Sequence, residues 1–226
     1  MPSILLHLLP ATLYTALGVR FWHSRWHAPA LSSRPGLRPW ERALMLLALL
    51  AHGFALHSVF FSPEGIHFGF SLALSLMMWL AMLFYWIESL YARLEGLQTL
   101  AMPFAAMCAL LPAFFPDQHL LANAGSALFR AHFVVAMLAY SLFTLAALHA
   151  VLMAVAEKRL HGARLSRAFA ALPPLLTMET LLFRLIGIAF VLLTLTVASG
   201  VLFSEALFGK AFRLDHKTVF AIISWL

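Results

Sequence analysis

Residues Phe68–Tyr91 read FGFSLALSLMMWLAMLFYWIESLY, and Glu88 is the one charged side chain in this run. As an α-helix the run would extend about 36 Å, which exceeds the roughly 30 Å hydrocarbon core of a bilayer. An apolar run that is both long and continuous is typical of a helix that crosses a membrane. We therefore predict a membrane-spanning helix here.

The whole chain shares this apolar character. Of its 226 residues, 63% are hydrophobic and 11% are charged, and the mean hydropathy is +0.90. A soluble domain of this size could not hide so much apolar surface, and a β-barrel would show alternating segments of about ten residues. We expect an all-α, polytopic helical membrane bundle that forms one integral membrane domain over residues 1–226.

Six apolar runs are long enough to span a bilayer: Ser3–Trp22, Trp40–Phe61, Phe68–Tyr91, Leu94–Phe115, Ala127–Ala156 and Leu181–Phe203. Thr177 or Thr180 would cap the sixth helix. A seventh run begins near Asp215, and its helix would extend only about 16 Å before Leu226. We expect this seventh span to be truncated and the full-length protein to have eight spans.

The loop charges predict the orientation of the chain. Arginine and lysine are concentrated in the loop before the second helix and in the loop after the fifth, whereas residues 62–67 and 116–126 hold neither. The positive-inside rule then puts the N-terminus outside. The net charge of +6 is explained by this topology, so no nucleic-acid partner is expected. Lys210 and Arg213 fall on the outer side, where basic residues favour a ligand-binding role.

Histidines are the side chains most able to carry chemistry in this chain. At 1.5 Å of rise per residue, His57, His132 and His216 share the outer depth of the membrane, with His52 somewhat deeper. His149 stands apart on the inner half. Histidines at one depth can bind a metal, relay protons or ligate haem, or each can bond to a neighbouring helix.

No motif for hydrolytic catalysis is present. The sequence lacks HExxH, CxxC, a glycine-rich phosphate loop and a Gly-x-Ser-x-Gly elbow. Cys108, the single cysteine, can form neither an internal disulfide nor a redox pair. We therefore expect no catalytic residues and no enzyme activity. The outer segment from Gly200 to Trp225 combines phenylalanines with cations, which suits either a flat dianionic ligand such as haem or an interfacial aromatic belt.

This outer segment resembles the cytochrome c assembly family (the CcsA/CcmC group). That family carries the pattern W-G-x-x-W-x-W-D-P-K-E, followed by a helix that ends L/I-T-W-L. Aligned without gaps, the matching positions are Phe208, Gly209, Phe212, Leu214, Asp215 and Lys217, then Ser224, Trp225 and Leu226. The run Arg130-Ala-His132 resembles the family segment with an outer haem-ligating histidine. The resemblance covers about residues 126–226, and Phe68–Tyr91 resembles the short branch of YpjD-like inner membrane proteins.

The resemblance implies a protein of the bacterial inner membrane that binds haem b and presents it in cytochrome c assembly. His132 would ligate the iron, and His216 or His57 would supply the second ligand, with His52 nearby. Further contacts with haem would come from Phe208, Gly209, Phe212, Asp215, Lys217 and Trp225. Expected partners are apocytochrome c, a thiol-reducing protein and a second membrane subunit.

Two alternatives remain open. Phe or Leu replaces each tryptophan of the family's outer segment, which favours a haem-free accessory or regulatory membrane protein of the same fold. A small-molecule transporter would need a polar track that reaches both faces, and His149 is the one deep candidate on the inner half.

Overall fold

The computed structural model describes residues 2–27, 37–62, 65–91, 96–116, 119–121, 124–161, 174–205 and 216–226. These ranges hold seven α-helices: α1 (Pro2–Phe21), α2 (Pro39–Phe60), α3 (Phe70–Tyr91), α4 (Leu97–Phe114), α5 (Ala127–His161), α6 (Leu175–Leu202) and α7 (His216–Trp225). A π-helical turn, Trp22–His27, follows α1. The first six helices are long and apolar enough to cross a membrane. The predicted polytopic helical bundle with six full spans is therefore confirmed.

The bundle has two packed groups of helices. Helix α1 packs on α2 and α4, and α5 pairs most extensively with α6; α3 contacts α2, α4 and α5 and so joins the groups. Fully buried alanines lie on three of these helices: Ala48 on α2, Ala81 on α3, and Ala101 and Ala105 on α4. Small side chains let helix backbones approach closely, and this close approach is a main source of helix association in membranes.

Helix α6 begins six residues before the predicted start at Leu181. Pro174 occupies its N-cap position with an extended ψ of 139°, and no side chain caps the helix. The expected caps, Thr177 and Thr180, lie inside α6, where the Thr180 hydroxyl donates to the Leu176 carbonyl at 2.8 Å. The length of the apolar run underestimated the length of α6, because polar residues occupy the first two turns of the helix.

A small antiparallel sheet closes the end of the bundle that the loop charges predict to lie outside, and we call this end the outer end. Its strands are β1 (Phe61–Ser62), β2 (Gly65–Phe68) and β3 (His119–Leu120), in the order β1-β2-β3. Gly65 has φ 137°, a conformation that favours glycine. Because β2 pairs with β3, the second and fourth loops lie at one end of the bundle, as the predicted alternation of loops requires.

Polar contacts join α1, α2 and α3 at the opposite end. The Arg42 guanidinium donates to the Ser89 carbonyl at 2.7 Å, and the Trp86 indole donates to the Arg42 carbonyl at 3.1 Å. Glu41 is 1% exposed, and its carboxylate lies 3.9 Å from Nε of Arg20. These contacts fix the inner ends of the three helices and so help to hold their outer ends in register.

Candidate functional site

A pocket of about 500 Å³ lies at the outer end of the bundle, between α2, α3, α5 and the small sheet. Its volume is typical of small-molecule sites, which are mostly apolar with a few polar groups. Among the described residues, five of the thirteen that line the pocket are aromatic, and His57 and Arg130 are the ionisable ones. The aromatic lining residues are Phe60, Phe61, Trp79, Phe129 and Phe133.

The aromatic wall beside this pocket includes edge-to-face contacts of the lining residues Phe60 and Phe133 with Phe68, which is not itself a lining residue. The Phe68 ring lies 4.9 Å from Phe133 and 6.2 Å from Phe60, at interplanar angles of 83° and 87°. Such arrangements are the favourable ones for aromatic pairs. Phe129 and Phe133 are four residues apart on α5 and therefore share one helix face. The wall joins α2, β2 and α5 and offers flat apolar surface to a ligand.

The two ionisable residues of the pocket are both exposed. The His57 ring lies 4.9 Å from the Phe61 ring, and the Arg130 guanidinium lies 3.5 Å from the Gly125 carbonyl. A guanidinium suits bidentate pairing with carboxylates, and an imidazole is a common metal ligand. The pocket therefore suits a ligand with a flat apolar body and an anionic edge.

His132 lies at the boundary between α5 and α6. Its Nδ1 is 2.8 Å from the Ser199 hydroxyl oxygen, and that hydroxyl donates to the Thr196 carbonyl at 3.1 Å. A hydroxyl has one proton to donate, so both contacts are hydrogen bonds only when Nδ1–H of His132 is the donor. In that tautomer Nε2 carries the lone pair of the ring.

The structure places His57 and His132 in different surroundings at the same end of the bundle. His57 lines the aromatic pocket, whereas His132 is not among the lining residues. Arg130 and His132 are two positions apart on α5, so a rotation of about 200° around the helix axis relates their side chains. Helix α5 therefore presents Arg130 to the pocket and His132 to α6.

Each of the other buried histidines makes a polar contact within the bundle. His52 is fully buried, and its Nε2 lies 2.9 Å from the Ser75 hydroxyl. His149 Nε2 lies 3.0 Å from the Met178 carbonyl, which pins α5 to α6 on the inner half. His7, 1% exposed, contacts the Ala109 carbonyl through Nδ1 at 2.9 Å. Sequence reasoning did not single out His7, although it shares a face with Tyr14, seven residues later on α1.

Several predicted contact residues lie outside the described ranges: Phe208, Gly209, Phe212 and Asp215, together with Lys210 and Arg213. His216 and Lys217 are described as backbone at the start of α7. Trp225 docks α7 on α6, because its indole donates to the Thr194 hydroxyl at 2.9 Å and stacks 5.9 Å from Phe190.

Within the described ranges, no three His, Cys, Asp or Glu side chains group closely enough to hold a metal ion. Haem iron needs only one or two protein ligands, so a single well-held histidine is the relevant feature for that group. His132 meets this description through its bond to Ser199.

Six helices able to span a membrane and an aromatic pocket at one end of the bundle define a polytopic membrane protein with a candidate ligand pocket. The chain belongs to the Cytochrome C assembly protein family, whose match covers residues 40–226 and so begins well before the predicted start near residue 126. Inner membrane protein YpjD of Escherichia coli strains K12 and O157:H7 is 32% identical over 126 residues, which cover 54% of this chain and 45% of the relative.

The match thus spans about half the length of these curated relatives. No solved structure matches the chain significantly. The chain is a multi-pass protein of the inner membrane and is YpjD-like. Family membership supports a role in cytochrome c biogenesis.

Proposed function

We propose that this protein binds haem b at the outer face of the inner membrane and presents it for attachment to apocytochrome c. The observation that carries the proposal is the geometry of His132, whose Nδ1 lies 2.8 Å from the Ser199 hydroxyl at the boundary between α5 and α6. Histidines that bind metals almost always donate their other ring N–H to a neighbouring acceptor, which fixes the ring orientation.

The aromatic pocket supports the same ligand class. Phe129, Arg130 and Phe133 belong to the same two turns of α5 as His132 and line the pocket. Flat aromatic surface suits a porphyrin, and Arg130 suits a propionate. His57 lines the pocket, which lies on the face of α5 opposite His132, so His216, at the start of α7, is the proposed second iron ligand.

The outer segment would complete the site. Phe208 and Phe212 would pack on the porphyrin, and Lys210, Arg213 or Lys217 would pair with propionates. Bound haem would supply the vinyl groups to which apocytochrome thiols become attached, while this chain's residues bind and orient the group. Because the sequence holds one cysteine and no CxxC pair, a separate thiol-reducing protein and a second membrane subunit are the proposed partners.

Titration of the purified full chain with haem, followed by Soret absorbance, tests the proposal. We expect saturable binding by the wild type, loss of binding in His132→Ala and weaker binding in His57→Ala. His119→Ala is the matched control, because His119 is an exposed histidine in β3 at the same end of the bundle. Failure of the wild type to bind haem would favour the haem-free accessory protein instead.

A further inference from the structure

A buried polar cluster lies between α1, α2 and α3, apart from the outer pocket. Its members are Tyr14, His52 and Ser75, one from each helix, and each is 0% exposed. His52 Nε2 lies 2.9 Å from the Ser75 hydroxyl, so one ring nitrogen is accounted for. None of the three lines the aromatic pocket.

Two polar atoms of this cluster have no hydrogen-bond partner among the described residues: the Tyr14 hydroxyl and Nδ1 of His52. The two rings are neighbours, with centroids 5.7 Å apart and an interplanar angle of 76°. A buried polar group without a partner costs about the full desolvation penalty of that group. Two such groups on adjacent side chains point to a shared polar ligand.

We propose that Tyr14 and His52 bind a water molecule within the membrane bundle. The Tyr14 O–H would donate to the water oxygen. One water proton would be donated to Nδ1 of His52, whose Nε2–H donates to Ser75. Buried waters in proteins make two to four hydrogen bonds with groups that otherwise lack partners. Tyr14 and His52 would supply two, which is the lower end of that range.

His7 extends the polar cluster towards the outer end of the bundle. It lies seven residues before Tyr14 and therefore on the same face of α1. Its Nδ1 contacts the Ala109 carbonyl of α4 at 2.9 Å. Polar and ionisable groups inside a membrane bundle are rare and mark functional sites. The water would complete a polar connection among α1, α2 and α3 that does not depend on haem.

The direction in which one substitution shifts the thermal unfolding midpoint distinguishes a hydrated site from a dry one. Tyr14→Phe keeps the ring and removes the hydroxyl. If the water is bound, the thermal unfolding midpoint of the full chain in detergent falls, because a hydrogen-bonded group is lost. If the site is dry, the midpoint is unchanged or rises, because an unpaired buried hydroxyl is removed. Tyr140→Phe is the control, since Tyr140 is 39% exposed on α5 and should not change the midpoint.

A double substitution tests whether His52 shares the ligand. In a His52→Leu background the proposal requires the Tyr14→Phe shift to become much smaller, because the bridge is already broken. A shift of unchanged size in that background would overturn the proposal, as would a raised or unchanged midpoint in Tyr14→Phe alone. An experimental structure that resolves waters should show density within hydrogen-bond distance of both atoms, and a water-free site in such a structure would also overturn it.

Discussion

The hydrogen bond from His132 to Ser199 predicts that Ser199→Ala weakens haem binding without abolishing it. The substitution removes the acceptor that holds Nδ1–H at 2.8 Å and leaves the His132 imidazole in place. The ring then loses the contact that fixes its rotamer and its tautomer. Nε2 remains able to coordinate iron, so the effect should be smaller than that of His132→Ala.

The expected size of the effect follows from the position of Ser199. Removing the partner that orients a metal-ligating histidine commonly weakens metal affinity by about 10- to 100-fold. That range corresponds to about 1.4 to 2.8 kcal/mol of binding free energy. Ser199→Thr keeps the hydroxyl and should restore most of the affinity.

Soret titration of purified variants measures this prediction. Ser58→Ala is the control, because the Ser58 hydroxyl donates to the Ala55 carbonyl of its own helix at the same end of the bundle. Elution volume and far-UV circular dichroism should be unchanged in each variant. Wild-type affinity in Ser199→Ala, combined with loss of binding in His132→Ala, would refute the orienting role of Ser199.

Three further predictions concern the pocket and the last helix. Gly53→Ala should lower the thermal unfolding midpoint relative to Gly187→Ala, because a Cβ at position 53 would lie 3.1 Å from the Trp79 indole, whereas a Cβ at position 187 meets nothing within 4 Å. Overpacking of this kind costs about 1–3 kcal/mol. A midpoint for Gly53→Ala equal to or higher than that of Gly187→Ala would contradict this packing. Arg130→Gln should weaken haem binding about 2- to 5-fold, as expected for an exposed ion pair, but leave the affinity for haem dimethyl ester unchanged. An equal loss of affinity for both ligands would exclude pairing of Arg130 with a propionate. Trp225→Phe should cost about 0.5–1.5 kcal/mol through the lost hydrogen bond to α6, seen as faster proteolysis of α7, and unchanged proteolysis would argue against that docking.

The six spans were predictable because a bilayer imposes both length and hydrophobicity on each helix. The start of α6 was not, because Thr177 and Thr180 interrupt the apolar run although they lie inside the helix. The outer sheet was also missed. Strands of two to four residues carry no periodic signal, and their pairing depends on loops that meet only after the helices pack.

The candidate site was partly predictable. Depth follows directly from the rise of a helix, so the sequence could place His57 and His132 at the outer end. Which neighbour each side chain contacts depends on the rotation of the helices in the bundle, so the sequence could not show that His132 contacts α6 while His57 lines the aromatic pocket. The i, i+4 spacing of Phe129 and Phe133 was the available signal for that pocket.

The visible absorption spectrum of the full chain, purified from haem-replete cells, is the most direct test of haem binding. Ligation of haem by His132 predicts a Soret band in the wild-type protein and its loss in His132→Ala, with both proteins equally folded. Wild-type protein without a Soret band, under conditions in which the cells contain ample haem, would contradict it.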